Sequence, residues 1–156
     1  MIKGQTVSAG DTVGLKRYTD AFAPYALAIM RVLVGITFLL TGLPKLANPG
    51  GFTGFLTSLG IPLPGFFALI VIALEVGGGL LLIAGLATRW VSLLYIIEMI
   101  VTTLLVKLPR LGFIAPQGQP GVGAELDLLL LVCALVLLTH GSGALSVERN
   151  ILKREL

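Results

Sequence analysis

The sequence predicts an all-α integral membrane protein: a four-helix bundle with a short interfacial helix between spans one and two. Three observations carry that reading. Hydrophobic residues make up 56% of the chain and charged residues 12%, where soluble domains carry about 25% charged residues. The mean hydropathy is +0.99. The apolar residues gather into four runs, each long enough at 1.5 Å per residue to approach or cross about 30 Å of hydrocarbon. No polar stretch is long enough to build a second domain.

Composition also excludes several functions. The net charge of +3 is not a nucleic-acid footprint, because the basic residues flank apolar runs rather than forming a patch. The one cysteine, Cys133, cannot make an internal disulfide, a CxxC pair or a cluster site. The one histidine, His140, rules out a bis-histidine haem built by this chain alone. No phosphate loop, zinc motif or nucleophile–base pair is readable. A site must come from carboxylates, guanidinium and backbone.

The elements follow in order. Residues 1–21 read as a polar tail without the apolar core and cleavage site of a removable signal peptide. Pro24 suits a first helical turn, so span one is placed at about 25–43. At 100° per residue, Arg31, Gly35, Phe38, Gly42 and Lys45 share one stripe about 40° wide. Glycines on that stripe let a second helix come close, so both cations are expected on the packed side. In residues 46–64, Phe52, Phe55, Leu56 and Leu59 form one face of a short helix in the interface plane.

Span two, about 66–86, has Glu75 at its centre, followed by Gly77, Gly78 and Gly79. A carboxylate at that depth costs at least about 2.5 kcal/mol, so Glu75 is expected to have a partner, a proton or a job. The turn Ala87-Thr88-Arg89 makes span three, about 90–106, antiparallel to span two. Span three carries Trp90 at the interface and Glu98 at its middle. A Pro/Gly-rich loop, 107–123, leads to span four, about 124–140. Glu125 and Asp127 open that span 200° apart, so only one of them can face the bundle. Residues 144–156 read as a basic tail forming a surface helix.

With four spans, Lys3, Lys16, Arg17, Arg89, Arg149, Lys153 and Arg154 share the side of the termini, against Lys45, Lys107 and Arg110 opposite. The positive-inside rule then puts both termini in the cytoplasm, with the bundle in a plasma (inner) membrane. Arg31, Glu75 and Glu98 are the ligand-binding or proton-handling candidates. Arg31 is expected to pair with Glu75, Glu98 or both, its long side chain closing the difference in depth. Lys45 and Glu125 (or Asp127) are the expected outer polar pair. The competing reading is structural, since helices in lipid use polar contacts to fix their packing. Cys133 and Tyr95 read as packing residues, and His140 as a solvated cap.

The chain also resembles the DoxX family of small four-span membrane proteins. The resemblance lies in the ordered set Arg31-x3-Gly35-x2-Phe38-x3-Gly42-x2-Lys45, Leu59-Gly60-Ile61-Pro62, Glu75-x-Gly77-Gly78-Gly79-Leu80-Leu81-Leu82 and Gly85-Leu86-x-Thr88-Arg89. Gly112-Phe113, Glu125 and Gly141-x-Gly143-x-x-Ser146 complete it. It implies a four-helix bundle tied to redox and sulfur metabolism, one relative being the DoxD-type subunit of a thiosulfate:quinone oxidoreductase. The family's polar positions fall here on Arg31, Lys45, Glu75, Arg89 and Glu125. Many members have a histidine near the end of span three, where this chain has Lys107.

Two functions follow as expectations. One is a redox-linked subunit that binds a quinone or lipid non-covalently and works with other membrane subunits or copies of itself. The other is a purely structural or assembly subunit of a larger complex. A small transporter is disfavoured, because no inverted repeat with broken helices is readable.

Overall fold

The computed structural model describes residues 9–117 and 121–153, and among these the chain is helical with no strand. Lys3 and Arg154, counted above for orientation, lie outside the described residues. Helix α1 runs Ala9–Ala47, α2 Pro49–Ser58, α3 Pro64–Ala84, α4 Thr88–Leu111 and α5 Ala124–His140. Three stretches are long and apolar enough to cross a membrane: Thr19–Ala47 of α1, and the whole of α3 and α4. Helix α5 has 17 residues, or about 26 Å of rise.

Helix α1 begins well before Pro24, which sits inside it together with Pro44. Proline suits a helix start, but nothing from Gly14 to Ala23 stops a helix, so α1 continues upstream through the region read as tail. Helix α2 lies where the short helix was expected. The Asn48 side chain caps it by accepting from the Gly51 N–H at 2.9 Å. Its aromatic face meets two cations, with Lys45 Nζ 4.9 Å from the Phe52 ring centroid and the Arg110 guanidinium 5.5 Å from that of Phe55.

Helices α1 and α3 pack through glycine. A Cβ placed on Gly35 would stand 2.8 Å from the Gly79 carbonyl oxygen, and one on Gly79 would stand 2.8 Å from that of Gly35. A Cβ on Gly42 would meet the Glu75 Cβ at 2.8 Å. The backbones therefore touch, and the register of the two helices is fixed. Helix α3 closes with a Schellman turn: Gly85, at φ 70°, donates to Leu82 O at 3.0 Å, and Leu86 donates to Leu81 O at 2.9 Å. Helix α5 packs chiefly on α4. The core between the helices is Val34, Phe38, Leu82, Tyr95, Ala134 and Leu137.

Gly35→Val is expected to destabilise the bundle by about 1–3 kcal/mol, because the opposing atoms are backbone and cannot swing aside. Gly77, in contrast, has nothing within 4 Å of an added Cβ. Gly77→Ala should leave stability within about 0.5 kcal/mol of wild type. Unfolding midpoints in detergent compare the two directly.

Candidate functional site

The buried charges form two centres, one at each end of the α1–α3 contact. At the first end, Arg31 is 1% exposed. Its Nη1 donates to Ser142 O at 2.5 Å and its Nη2 to Leu145 O at 3.0 Å. Both acceptors belong to the segment after α5, which folds back across the bundle end; the helix expected in this tail is confined to a short π-type turn, Glu148–Leu152, and its first residue is buried rather than on the surface. The Ala144 N–H donates to Pro24 O at 2.9 Å, and the Glu148 N–H to Gly85 O at 3.2 Å. Glu148 is buried, faces Arg31 electrostatically, and accepts from the Thr88 N–H through Oε1 at 3.2 Å. Arg89 donates to Leu138 O at 2.8 Å.

At the second end, Lys45 Nζ donates to Glu75 Oε1 at 2.5 Å. Glu75 lies in a wide, π-type turn, Leu74–Gly78, a local widening of helices often found where a helix carries function. Tyr95 on α4 stacks on Phe38, with ring centroids 3.5 Å apart, and its hydroxyl donates to Leu74 O at 3.1 Å. One turn further along α4, Glu98 is 8% exposed and faces Glu75, Lys45 and Asp127. The Thr102 hydroxyl donates to Asp127 Oδ2 at 2.9 Å. Glu75 Oε2 and both Glu98 oxygens are buried with no donor in reach among the described residues. Two carboxyls facing each other are both acceptors, so a hydrogen bond between them requires a proton on one.

The pairings expected from sequence are corrected here. Arg31 does not pair with Glu75 or Glu98. In the antiparallel register Arg31 stands beside Gly85, ten residues along α3 from Glu75, or about 15 Å, too far for an arginine to span. Lys45, level with Glu75, takes that carboxylate instead of Glu125. Glu125 stands at the start of α5 with its N–H donating to Phe113 O at 3.1 Å. Asp127 is the acid that turns inward. It shares a helix face with Ala134, the small buried residue in a leucine-rich run, whereas Glu125 lies on the opposite face. Ala134 was the available signal. Glu148 and Thr102 were not singled out, and only the lack of any acid level with Arg31 pointed to Glu148.

His140 is exposed, and its ring lies 3.1 Å from Val136 O, which matches a cap. Among the described residues no group of three or more His, Cys, Asp or Glu is arranged to hold a metal ion.

The stretch that carries Arg31, Lys45, Glu75 and Glu98 is matched by a family model. The DoxX model covers residues 26–108, from the stretch before Arg31 to beyond Glu98. The chain belongs to the DoxX family. Relatives extend the likeness across nearly the whole bundle. A Bacillus subtilis protein named "Putative oxidoreductase CatD" is 35% identical over 127 residues, covering 80% of this chain and 86% of that protein. The Mycobacterium tuberculosis membrane protein Rv3486 is 33% identical over 144 residues, 88% of each chain. The Escherichia coli inner membrane protein YphA is 35% identical over 82 residues, 51% of this chain and 59% of that one. No solved structure matches this DoxX chain.

Proposed function

We propose that this DoxX protein is a redox-linked membrane subunit whose Glu75–Glu98 pair holds a proton and presents it to the carbonyl headgroup of a quinone-like ligand. One observation carries the proposal: Glu98 is buried with both oxygens unbonded, opposite a Glu75 that Lys45 engages at only one oxygen. Like charges this close disfavour double ionisation, and ionisable groups at membrane depth are functional by default. The name of the Bacillus subtilis relative supports a redox link.

A bound quinone would supply the electron-accepting carbonyls. The residues present fit it as donors of hydrogen bonds through a protonated carboxyl on Glu98 and the Lys45 ammonium, which keeps N–H groups beyond the one given to Glu75; the Tyr95 hydroxyl is already committed to Leu74 O. Lys45 orients Glu75, and the Phe38–Tyr95 stack closes the inner flank of the pair. A separate apolar groove of about 450 Å³ between α1 and α5, lined by Ile29, Leu33, Val34, Leu130 and Cys133 among others, suits an acyl chain but has no lining residue from α3 or α4, which carry the pair. The expected place is a plasma (inner) membrane with both termini cytoplasmic, alongside partner subunits that carry the electrons.

Gently extracted protein is expected to retain quinone, detected by mass spectrometry. Glu98→Gln and Glu75→Gln should each lower quinone-linked turnover by about 100-fold, the range of a lost acid–base group. Wild-type turnover in Glu98→Gln, together with no retained quinone, would leave the assembly-subunit reading, for which constant co-purification with larger membrane chains is the sign.

A further inference from the structure

Two cavities adjoin the Arg31 end of the bundle. The fold-back segment lies directly on α1 there: the Ala144 N–H donates to Pro24 O, and a Cβ on Gly143 would stand 2.8 Å from that same oxygen. Beside that contact is a cavity of about 290 Å³, lined by Pro24, Tyr25, Ala144, Leu145, Arg149 and Asn150. The backbone of its outer wall is already bonded. The Arg149 N–H donates to Ser146 Oγ at 3.2 Å, and the Asn150 N–H to Ser146 O at 2.9 Å. The side chains are left over. Among the described residues the Arg149 guanidinium, the Asn150 amide and the Tyr25 hydroxyl have no hydrogen-bond or ionic partner.

The second cavity is the apolar groove between α1 and α5. Its wall is Phe22, Ala26, Ile29 and Leu33 on α1, with Leu129 and Cys133 on α5. It follows α1 from Phe22 to Thr37, or about 22 Å at 1.5 Å per residue, where half the hydrocarbon thickness is about 15 Å. A pair of rings joins the two cavities. Phe22 lines the groove and Tyr25 the polar cavity, and their centroids are 6.4 Å apart. Both rings sit in the first two turns of the apolar stretch Thr19–Ala47, the level at which aromatic side chains meet lipid headgroups. A guanidinium with two hydrogen-bonding neighbours thus stands at the head of an apolar channel deep enough for one acyl chain. Arginine binds phosphate oxygens in pairs. A free phosphate would leave the groove unused, and a zwitterionic lipid would bring its own cation towards the guanidinium.

We propose that the Tyr25–Arg149 cavity and the α1–α5 groove form one site for an anionic phospholipid, its phosphate at Arg149 and one acyl chain along Ile29 and Leu33. The site is separate from the Glu75–Glu98 pair and does not depend on what that pair carries. Its occupant acts on the fold. Arg149 follows Leu145 and Glu148 in the chain, so a headgroup held there fastens the segment whose carbonyls receive Arg31. A lipid that binds only the folded bundle raises its stability by mass action.

The test uses the full chain in mild detergent, supplied with phosphatidylglycerol or phosphatidylcholine of identical acyl chains. Native mass spectrometry reads the bound lipid, and unfolding midpoints read its effect. The wild type is expected to bind phosphatidylglycerol about fivefold more tightly, the discrimination of one arginine near a headgroup, and to melt higher with it. In Arg149→Gln the preference is expected to vanish. Ala26→Phe, which fills the groove, should weaken both lipids alike. Equal binding of the two lipids by the wild type overturns the site and needs no variant to fold. A preference that survives in Arg149→Gln overturns it as well, and unchanged binding in Ala26→Phe overturns the joining of cavity and groove. Inorganic phosphate that raises the midpoint as far as the lipid would mean an anion site without a chain, and overturns the lipid.

Discussion

Lys45→Met is expected to destabilise the bundle by about 3 kcal/mol, because it strands a buried carboxylate. Glu75 is 4% exposed, and its Oε1 has Lys45 as its only cation within 4.0 Å among the described residues. Removing the ammonium leaves two facing carboxyls, Glu75 and Glu98, with nothing positive between them. The Lys45 side chain is 28% exposed, so water compensates part of the loss and the effect falls at the lower end of the range for buried pairs. Glu75→Gln alone should cost less, since an amide oxygen still accepts from Lys45. The double variant Lys45→Met/Glu75→Gln should recover at least half of the loss, as replacing both partners of a buried pair often does. Denaturation in sodium dodecyl sulfate gives all three values and closes the cycle. Additive losses would mean that the two side chains meet without coupling.

Much of this architecture is legible in the residues, and the part that is not has an identifiable cause. The stripe Arg31, Gly35, Phe38, Gly42, Lys45 faces the bundle as expected, because glycine on an apolar helix marks where another backbone touches. The same stripe also held the register. Gly42 meets Glu75, and Gly35 meets Gly79, so each step back along α1 is a step forward along α3. Depth counted from the ends of the spans leaves Arg31 within a long side chain's reach of Glu75, because it takes no account of this pairing. The end of a span gives a poor origin for such a count, whereas a glycine pair gives a direct one. The acids at the start of α5 show the same limit: angular spacing shows that one of Glu125 and Asp127 turns inward, but the choice needs the position of Ala134. The fold-back of residues 141–148 has no periodic signal, since it depends on backbone carbonyls meeting a guanidinium from more than a hundred residues earlier.

That fold-back gives the second large effect. A chain ended at His140 is expected to lose about 3–5 kcal/mol, the cost of leaving a buried charge without partners, out of the roughly 5–15 kcal/mol that folded proteins have. The reason is local. Arg31 is buried on a helix where no acid is level with it, and its two acceptors are the carbonyls of Ser142 and Leu145. The segment is tied down independently of Arg31 by Ala144 N–H to Pro24 O, by Glu148 N–H to Gly85 O, and by the Ser142–Ser146 hydroxyl pair at 2.9 Å. Cutting it therefore removes the arginine's partners and uncovers the α3–α4 turn at once. Glu148→Gln separates the contributions. It keeps an acceptor for the Thr88 N–H but removes the charge facing Arg31, and should cost about 1–2 kcal/mol, near the value of one charge-assisted hydrogen bond. Unfolding midpoints of the two variants in the same detergent order the effects. A surface helix resting on lipid would give a truncated chain that melts with the wild type. A segment that supplies both carbonyl acceptors of a buried guanidinium cannot be removed so cheaply, because the arginine's hydrogen bonds and its cover go together.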